Sequence, residues 1–185
     1  MVFSEAKYNT ECCYSMNLKE EILKEHSKTQ CLKIVQWISN SQHRFDELFH
    51  LFLGGEYRVT QRAAWPLSYC VQAHPELIKK NFRKLLNNLQ QPNLHNAIKR
   101  NTVRLLQYVD IPKKLQGQVM DICFGYVASP KEAVAIKAFS LTILGNLAKL
   151  YPEILPEIKL LIEEQLPNQT AAFKSRAKHF LKELQ

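Results

Sequence analysis

Glycine occurs only five times in these 185 residues, and no Asn-Gly or Asp-Gly pair is present to close a tight hairpin. No stretch alternates apolar and polar residues as a half-buried strand does, so a β-rich fold is excluded. Glycine-rich phosphate loops are missing too, since neither a Walker-type nor a GxGxxG sequence occurs. GxSxG and HExxH are also absent, which leaves no recognisable nucleophile elbow or zinc-protease helix. No run of about 18 apolar residues could span a bilayer. The N-terminus places Glu5, Lys7 and Glu11 where a signal peptide needs its apolar segment, so the expected location is the cytoplasm.

Cysteine is present in an odd number, at 12, 13, 31, 70 and 123, and never as a CxxC pair. Free thiols in a reducing compartment are expected, with Cys70 and Cys123 as small core residues. What remains is a globular balance: 46% hydrophobic and 23% charged residues. The net charge of +8 is uneven. Residues 1–57 carry six Lys/Arg against eight Asp/Glu, whereas residues 58–185 carry nineteen against nine. The basic part points to an anionic partner.

Prolines set a period. Pro92, Pro130 and Pro167 lie 38 and 37 apart, each in a short polar break. Pro75, Pro112 and Pro152 lie 37 and 40 apart, each ahead of an amphipathic stretch. Proline suits a helix's first turn, where the missing N–H has no partner. Two interleaved ladders therefore predict two helix starts per repeat. Arg62, Arg100, Lys137 and Arg176 recur at 38, 37 and 39, early in the first helix of each pair. Such self-similarity is what stacked helical hairpins produce, because one hairpin cannot bury its apolar face alone.

The apolar spacing predicts helices over 17–26, 28–39, 41–53, 57–73, 75–90, 94–109, 112–128, 130–149, 152–165 and 169–184. Gly54-Gly55 reads as a helix stop. Residues 1–16 lack periodicity and are expected as a flexible tail before a single domain over 17–185. In the last helix Phe173, Ala177, Phe180, Leu181 and Leu184 share one side, and Lys174, Lys178 and Lys182 the other, as in a terminal cap.

The segment 135–148, Ala-Ile-Lys-Ala-Phe-Ser-Leu-Thr-Ile-Leu-Gly-Asn-Leu-Ala, follows Ser129-Pro130. It resembles the HEAT-repeat pattern of a proline-bearing turn, a basic residue, small residues and a Leu-Gly-x-Leu ending. Residues 56–73 and 94–109 are similar, and Pro66 resembles the kinking proline of many HEAT first helices. The resemblance spans roughly 28–185 and implies an all-α, right-handed α-α superhelix of about four to five hairpins. Second helices in that family line the concave surface. The copies lack a constant Asp between helices, which leaves the HEAT and armadillo-like subtypes both open.

Several residues carry site readings. Lys79, Lys80, Arg83 and Lys84 lie opposite the Leu/Phe stripe of 75–90, and Lys113 and Lys114 open the next second helix. These six are the candidate contacts for a phosphate backbone or other anion, although the equivalent face one repeat on (Gln116, Gly117, Met120, Asp121) is not basic. A solvated helix face is the competing reading. The recurring Arg62, Arg100, Lys137 and Arg176 read as packing contacts between repeats. His43, Asp46, Glu47 and His50 share helical spacing with a metal site, but one helix seldom closes one. Trp37, Trp65, Tyr69, Tyr108 and Tyr126, with Asp110 or Asp121, are the residue types of a base pocket such as HEAT-like alkylpurine DNA glycosylases use, but that family's motifs do not map onto this chain, and aromatics at helical spacing read as core.

The leading expectation is a non-enzymatic module that recognises a protein or peptide on its concave helices. The alternative is a nucleic-acid binder using residues 58–185, and behind it a HEAT-like repair glycosylase. No catalytic residue, metal or cofactor is assigned.

Overall fold

The computed structural model describes residues 16–168 and 170–183, all of them helix, turn or loop. Its α-helices are α1 (Leu18–Lys24), α2 (Lys28–Ile38), α3 (Gln42–Gly54), α4 (Tyr57–Ala73) and α5 (Phe82–Leu89), followed by α6 (Asn96–Leu106), α7 (Lys113–Ala128), α8 (Val134–Ala148), α9 (Leu155–Gln165) and α10 (Ala171–Glu183). The expected flexible tail lies, but for Met16, outside the described residues.

Helix starts follow local chemistry. Asn17, Ser27 and Ser41 cap α1, α2 and α3, their side-chain oxygens accepting from Glu20, Gln30 and Arg44 backbone N–H groups at 3.3, 3.1 and 3.4 Å. The proline ladders divide the work differently from the expectation. Pro92, Pro130 and Pro167 stand four residues before Asn96, Val134 and Ala171, so they mark the turn and not the first helical residue. The 130–149 helix accordingly begins at Val134. After Pro92, Asn93 takes φ 58, a left-handed conformation that halts any continuing helix. Pro75 and Pro152 each open a 3-10 segment, Pro75–Asn81 and Pro152–Ile154, and Pro112 caps α7.

The 3-10 segment Pro75–Asn81 has a visible cause. Gln42 of α3 donates to the Leu77 carbonyl at 3.0 Å, and Asn81 donates to Asp46 at 3.0 Å. Both ends are thus tied to a neighbouring helix. A 3-10 turn advances roughly 20° more per residue than an α-helix. The face carrying Lys79 and Lys80 is therefore rotated relative to the one carrying Arg83 and Lys84.

First helices α2, α4, α6, α8 and α10 stack in chain order in one layer, and α5, α7 and α9 follow one another in the second, where Gln42 and Asp46 of α3 hydrogen-bond the segment that leads into α5. The first-helix layer is the tighter one. Its buried positions include Ala63, Ala64 and Ser68 in α4, Asn101 and Thr102 in α6, and Ser140, Gly145 and Ala148 in α8. Small residues let backbones approach. In the other layer α3 buries Phe45, Phe49 and Phe52 and α5 buries Leu85 and Leu86, whereas α7 buries Val119, Cys123 and Val127. A continuous core runs from Leu18 to Phe173 and Ala177. In α10 Phe173 and Ala177 are buried while Lys178 and Lys182 are exposed, as a terminal helix requires; Phe180 and Leu184 fall outside the described side chains.

Pro66 lies within α4, where it denies the Arg62 carbonyl its helical donor. Cys31, Cys70 and Cys123 are buried free thiols, each pushed up to about 12 by burial. Among the described residues no helix is long and apolar enough to cross a membrane.

Candidate interaction surface

The second-helix layer opens between α3 and the Pro75–Leu89 segment. There a cleft of about 460 Å³ is lined by Asp46, Phe49, His50 and Leu53 from one side and Lys80, Asn81 and Lys84 from the other. Phe49 and Leu53 supply an apolar floor. Lys84 and His50 are exposed on the rim. Helical spacing explains the α3 side, since 46, 49, 50 and 53 fall on one stripe at i, i+3, i+4 and i+7.

Asp46 closes one end of the cleft. Its carboxylate accepts from Lys80 at 2.5 Å and from both Gln42 and Asn81 at 3.0 Å. Burial acts to raise its pKa, but the hydrogen bonds from Lys80, Gln42 and Asn81 outweigh it and hold the carboxyl below its ordinary value. Asp46 is thus a strut between helices. No group of three or more His, Cys, Asp or Glu placed to hold a metal occurs among the described residues.

The six candidate cations are all exposed, but they do not act as one patch. Lys80 is neutralised by Asp46. Lys84 lines the cleft, while Lys79 and Arg83 are not among its walls. Lys113 and Lys114 stand at the start of α7. Lys79, Arg83, Lys84, Lys113 and Lys114 form no ion pair with another described residue.

The recurring basic residues are split by the structure. Arg62 donates to the Leu23 carbonyl at the end of α1 at 2.7 Å. Lys137 is 1% exposed, and its ammonium donates to Gln165 at 2.7 Å. Burial lowers its pKa, and Glu132 partly opposes that. Arg100 is exposed, and the side chain of Arg176 lies outside those described. The better structural register is Lys99 with Lys137, 38 apart like their prolines. Lys99 pairs with Glu132 in the following turn at 2.5 Å, both side chains largely buried. The equal seven-residue offset from Pro92 and Pro130 is the sequence signal that selects Lys99 over Arg100.

Aromatic residues serve mainly as packing. Trp37 lies under the Arg44 guanidinium at 4.8 Å, and Arg104 covers Tyr69 at the same distance. Trp65 contacts both His26 and Tyr69 edge-on, at 5.4 and 6.4 Å. Tyr126 hydrogen-bonds the Leu89 carbonyl at 3.5 Å, and burial raises its pKa. Tyr108 and Asp110 both line a second cleft of about 480 Å³, with Leu106, Ile143, Leu147 and Leu150. Trp37, Trp65, Tyr69, Tyr126 and Asp121 are not among its walls.

Sequence patterning did not single out the exposed apolar side chains Leu32, Tyr57, Leu150 and Leu160. Leu160 of α9 is 56% exposed, with Glu157, Glu163 and Glu164 exposed around it. Its sequence signal was a leucine off the Ile158–Ile162 buried stripe and flanked by acids.

Paired helices in two layers, proline-marked turns and a polar-faced terminal helix define a helical-repeat solenoid. A family profile described as the HEAT repeat domain matches residues 18–184, and the chain belongs to that family. No curated protein and no solved structure matched the chain.

Proposed function

We propose that this chain is a non-enzymatic binding module whose second-helix face takes an acidic protein segment bearing an apolar side chain. The observation that carries this reading is the α3–α5 cleft, lined by Phe49 and Leu53 and by exposed Lys84, which forms no ion pair with another described residue. An apolar anchor seated there loses water, and carboxylates beside it meet Lys84, Arg83 and Lys79. HEAT repeats present such helix faces as extended binding surfaces.

The test is fluorescence anisotropy with a labelled helical peptide carrying one Leu flanked by Glu at i−3 and i+4. Binding at low salt, weakened at least about tenfold by Lys84→Glu and little changed by Lys84→Arg, is the expected result. No binding at low salt, or equal binding by wild type, Lys84→Glu and Leu53→Ser, overturns the reading.

A nucleic-acid reading rests on the exposed cations Lys79, Arg83, Lys84, Lys113 and Lys114, which form no ion pair with another described residue. It predicts oligonucleotide binding whose logarithmic salt slope falls by roughly one per lysine removed. Undetectable binding of single- and double-stranded DNA and RNA at low salt eliminates it.

A further inference from the structure

We propose that the acidic segment fitting the α3–α5 cleft is supplied by a second copy of this chain, which inserts Leu160 of its α9. The inference rests on the reading of the cleft given above and names its occupant.

Leu160 is the most unexpected side chain of α9. It stays 56% exposed while Ile158 and Ile162 of the same helix are fully buried. Glu157 lies three residues before it, Glu163 three after and Glu164 four after, so all share its side of the helix. All three are exposed, as is Glu153 one turn earlier. Lys159 is the only cation of the helix. A leucine ringed by carboxylates is the chemical complement of a cleft with a Phe49–Leu53 floor and a Lys80–Lys84 rim. The Lys80 charge is shared with Asp46, which leaves Lys84 and neighbouring Arg83 to meet the incoming glutamates.

The contact cannot form within one molecule. In the second-helix layer α5 packs on α7, and α7 packs on α9, so α9 is held two helices away from the cleft by its own repeat stacking. The association is therefore head-to-tail, between an early repeat of one copy and a late repeat of another. Such a heterologous contact leaves one cleft and one α9 free in every dimer, so it propagates into short chains or closes into a ring. One helix in one groove buries less than a standard interface of about 1,600 Å², so the association is weak, transient and salt-sensitive.

Sedimentation velocity on the full chain tests this, with circular dichroism confirming that each variant stays helical. Wild type is expected to show a weight-average sedimentation coefficient that rises with concentration up to about 500 µM at low salt and falls back on adding salt. Lys84→Glu alone, and Glu157→Lys with Glu164→Lys, are each expected to raise the dissociation constant at least about tenfold. Mixing the two variants restores association, because the unaltered α9 of the first meets the unaltered cleft of the second. Leu160→Gln weakens association without altering charge. A chain that remains monomeric across that range, or that associates equally in all these variants, overturns the proposal. If the acidic peptide still binds to a strictly monomeric chain, self-association fails while the cleft reading stands; if neither occurs, both fail.

Discussion

The Lys80 ammonium lies 2.5 Å from the Asp46 carboxylate, joining α3 to a segment 34 residues further along the chain. The same carboxylate receives Asn81 and Gln42, so one side chain fixes how the 3-10 segment lies against α3. The Asp46 and Lys80 side chains remain 35% and 55% exposed, which lets water weaken the charge term. Asp46→Ala should cost about 1 kcal/mol, read as a lower urea midpoint. Because the Asp46 pKa is depressed in the folded state, this contribution is present at neutral pH and fades as pH falls through the carboxylate range. The difference between wild type and variant should shrink accordingly. A variant as stable as wild type at neutral pH would refute the strut.

Gly55 answers to space and not to backbone twist, since its φ is −76. A Cβ there would stand 2.6 Å from the Leu51 carbonyl oxygen and 3.1 Å from Val59. Gly55→Ala should destabilise by about 1–3 kcal/mol, because backbone must move. Gly54 has nothing within 4 Å of the same position, so Gly54→Ala should be neutral or stabilising by up to about 1 kcal/mol. Thermal melts of the two variants give opposite shifts if this contrast holds.

Ser39 adopts φ 48 and ψ −128 between α2 and α3, and Ser41 N–H donates to the Ile38 carbonyl across the turn at 3.0 Å. Those angles match the first central position of a type II′ turn, which favours glycine. Ser39→Gly should therefore raise stability by roughly 0.5–1 kcal/mol, the relieved strain exceeding glycine's greater unfolded-state entropy. An unchanged or lower denaturation midpoint would contradict the turn assignment.

Glu21 ties α1 to α2. Its carboxylate accepts from Lys33 at 2.8 Å and Gln30 at 2.6 Å, and these bonds lower its pKa from 4.5 to about 2. A depressed carboxylate pKa stabilises the fold above pH 4.5, and that stability is lost between about pH 4.5 and 2. Glu21→Gln should be less stable at pH 7 and should lose less stability than wild type through that window. Parallel acid titrations of the two proteins by circular dichroism decide it.

Lys137 is a lysine used as core. Lys137→Ala should cost about 2–4 kcal/mol through the cavity it leaves, whereas Lys137→Met, close in volume, should cost less. Chemical denaturation of both variants would expose an error if their order were reversed.

Sequence alone was enough for the all-helical class and the repeat, but not for the 3-10 segment Pro75–Asn81. Apolar stripes at helical spacing, such as Leu77, Ile78, Phe82, Leu85, Leu86 and Leu89, carry the helix pattern in the chain itself. Proline has a fixed backbone angle and no donor, so its recurrence near 38 residues reports turns directly. Even so, the interval from Pro92 and Pro130 to their helices had to be seen in three dimensions, because a turn's length depends on what its backbone groups meet.

The surface was decided by tertiary structure. Periodicity places Lys79, Lys80, Arg83 and Lys84 together, but Gln42 and Asp46 of α3 hold the segment as a 3-10 turn and take Lys80 out of the patch. Asp46 and His50 look alike as ligands on a helical wheel, and only the arrival of Lys80 and Asn81 makes Asp46 a strut. Residue spacing along one helix is local information. Which neighbouring helix neutralises a charge, or opens a cleft beside it, depends on how the helices of the two layers pack, and that is not written in the spacing of any one of them.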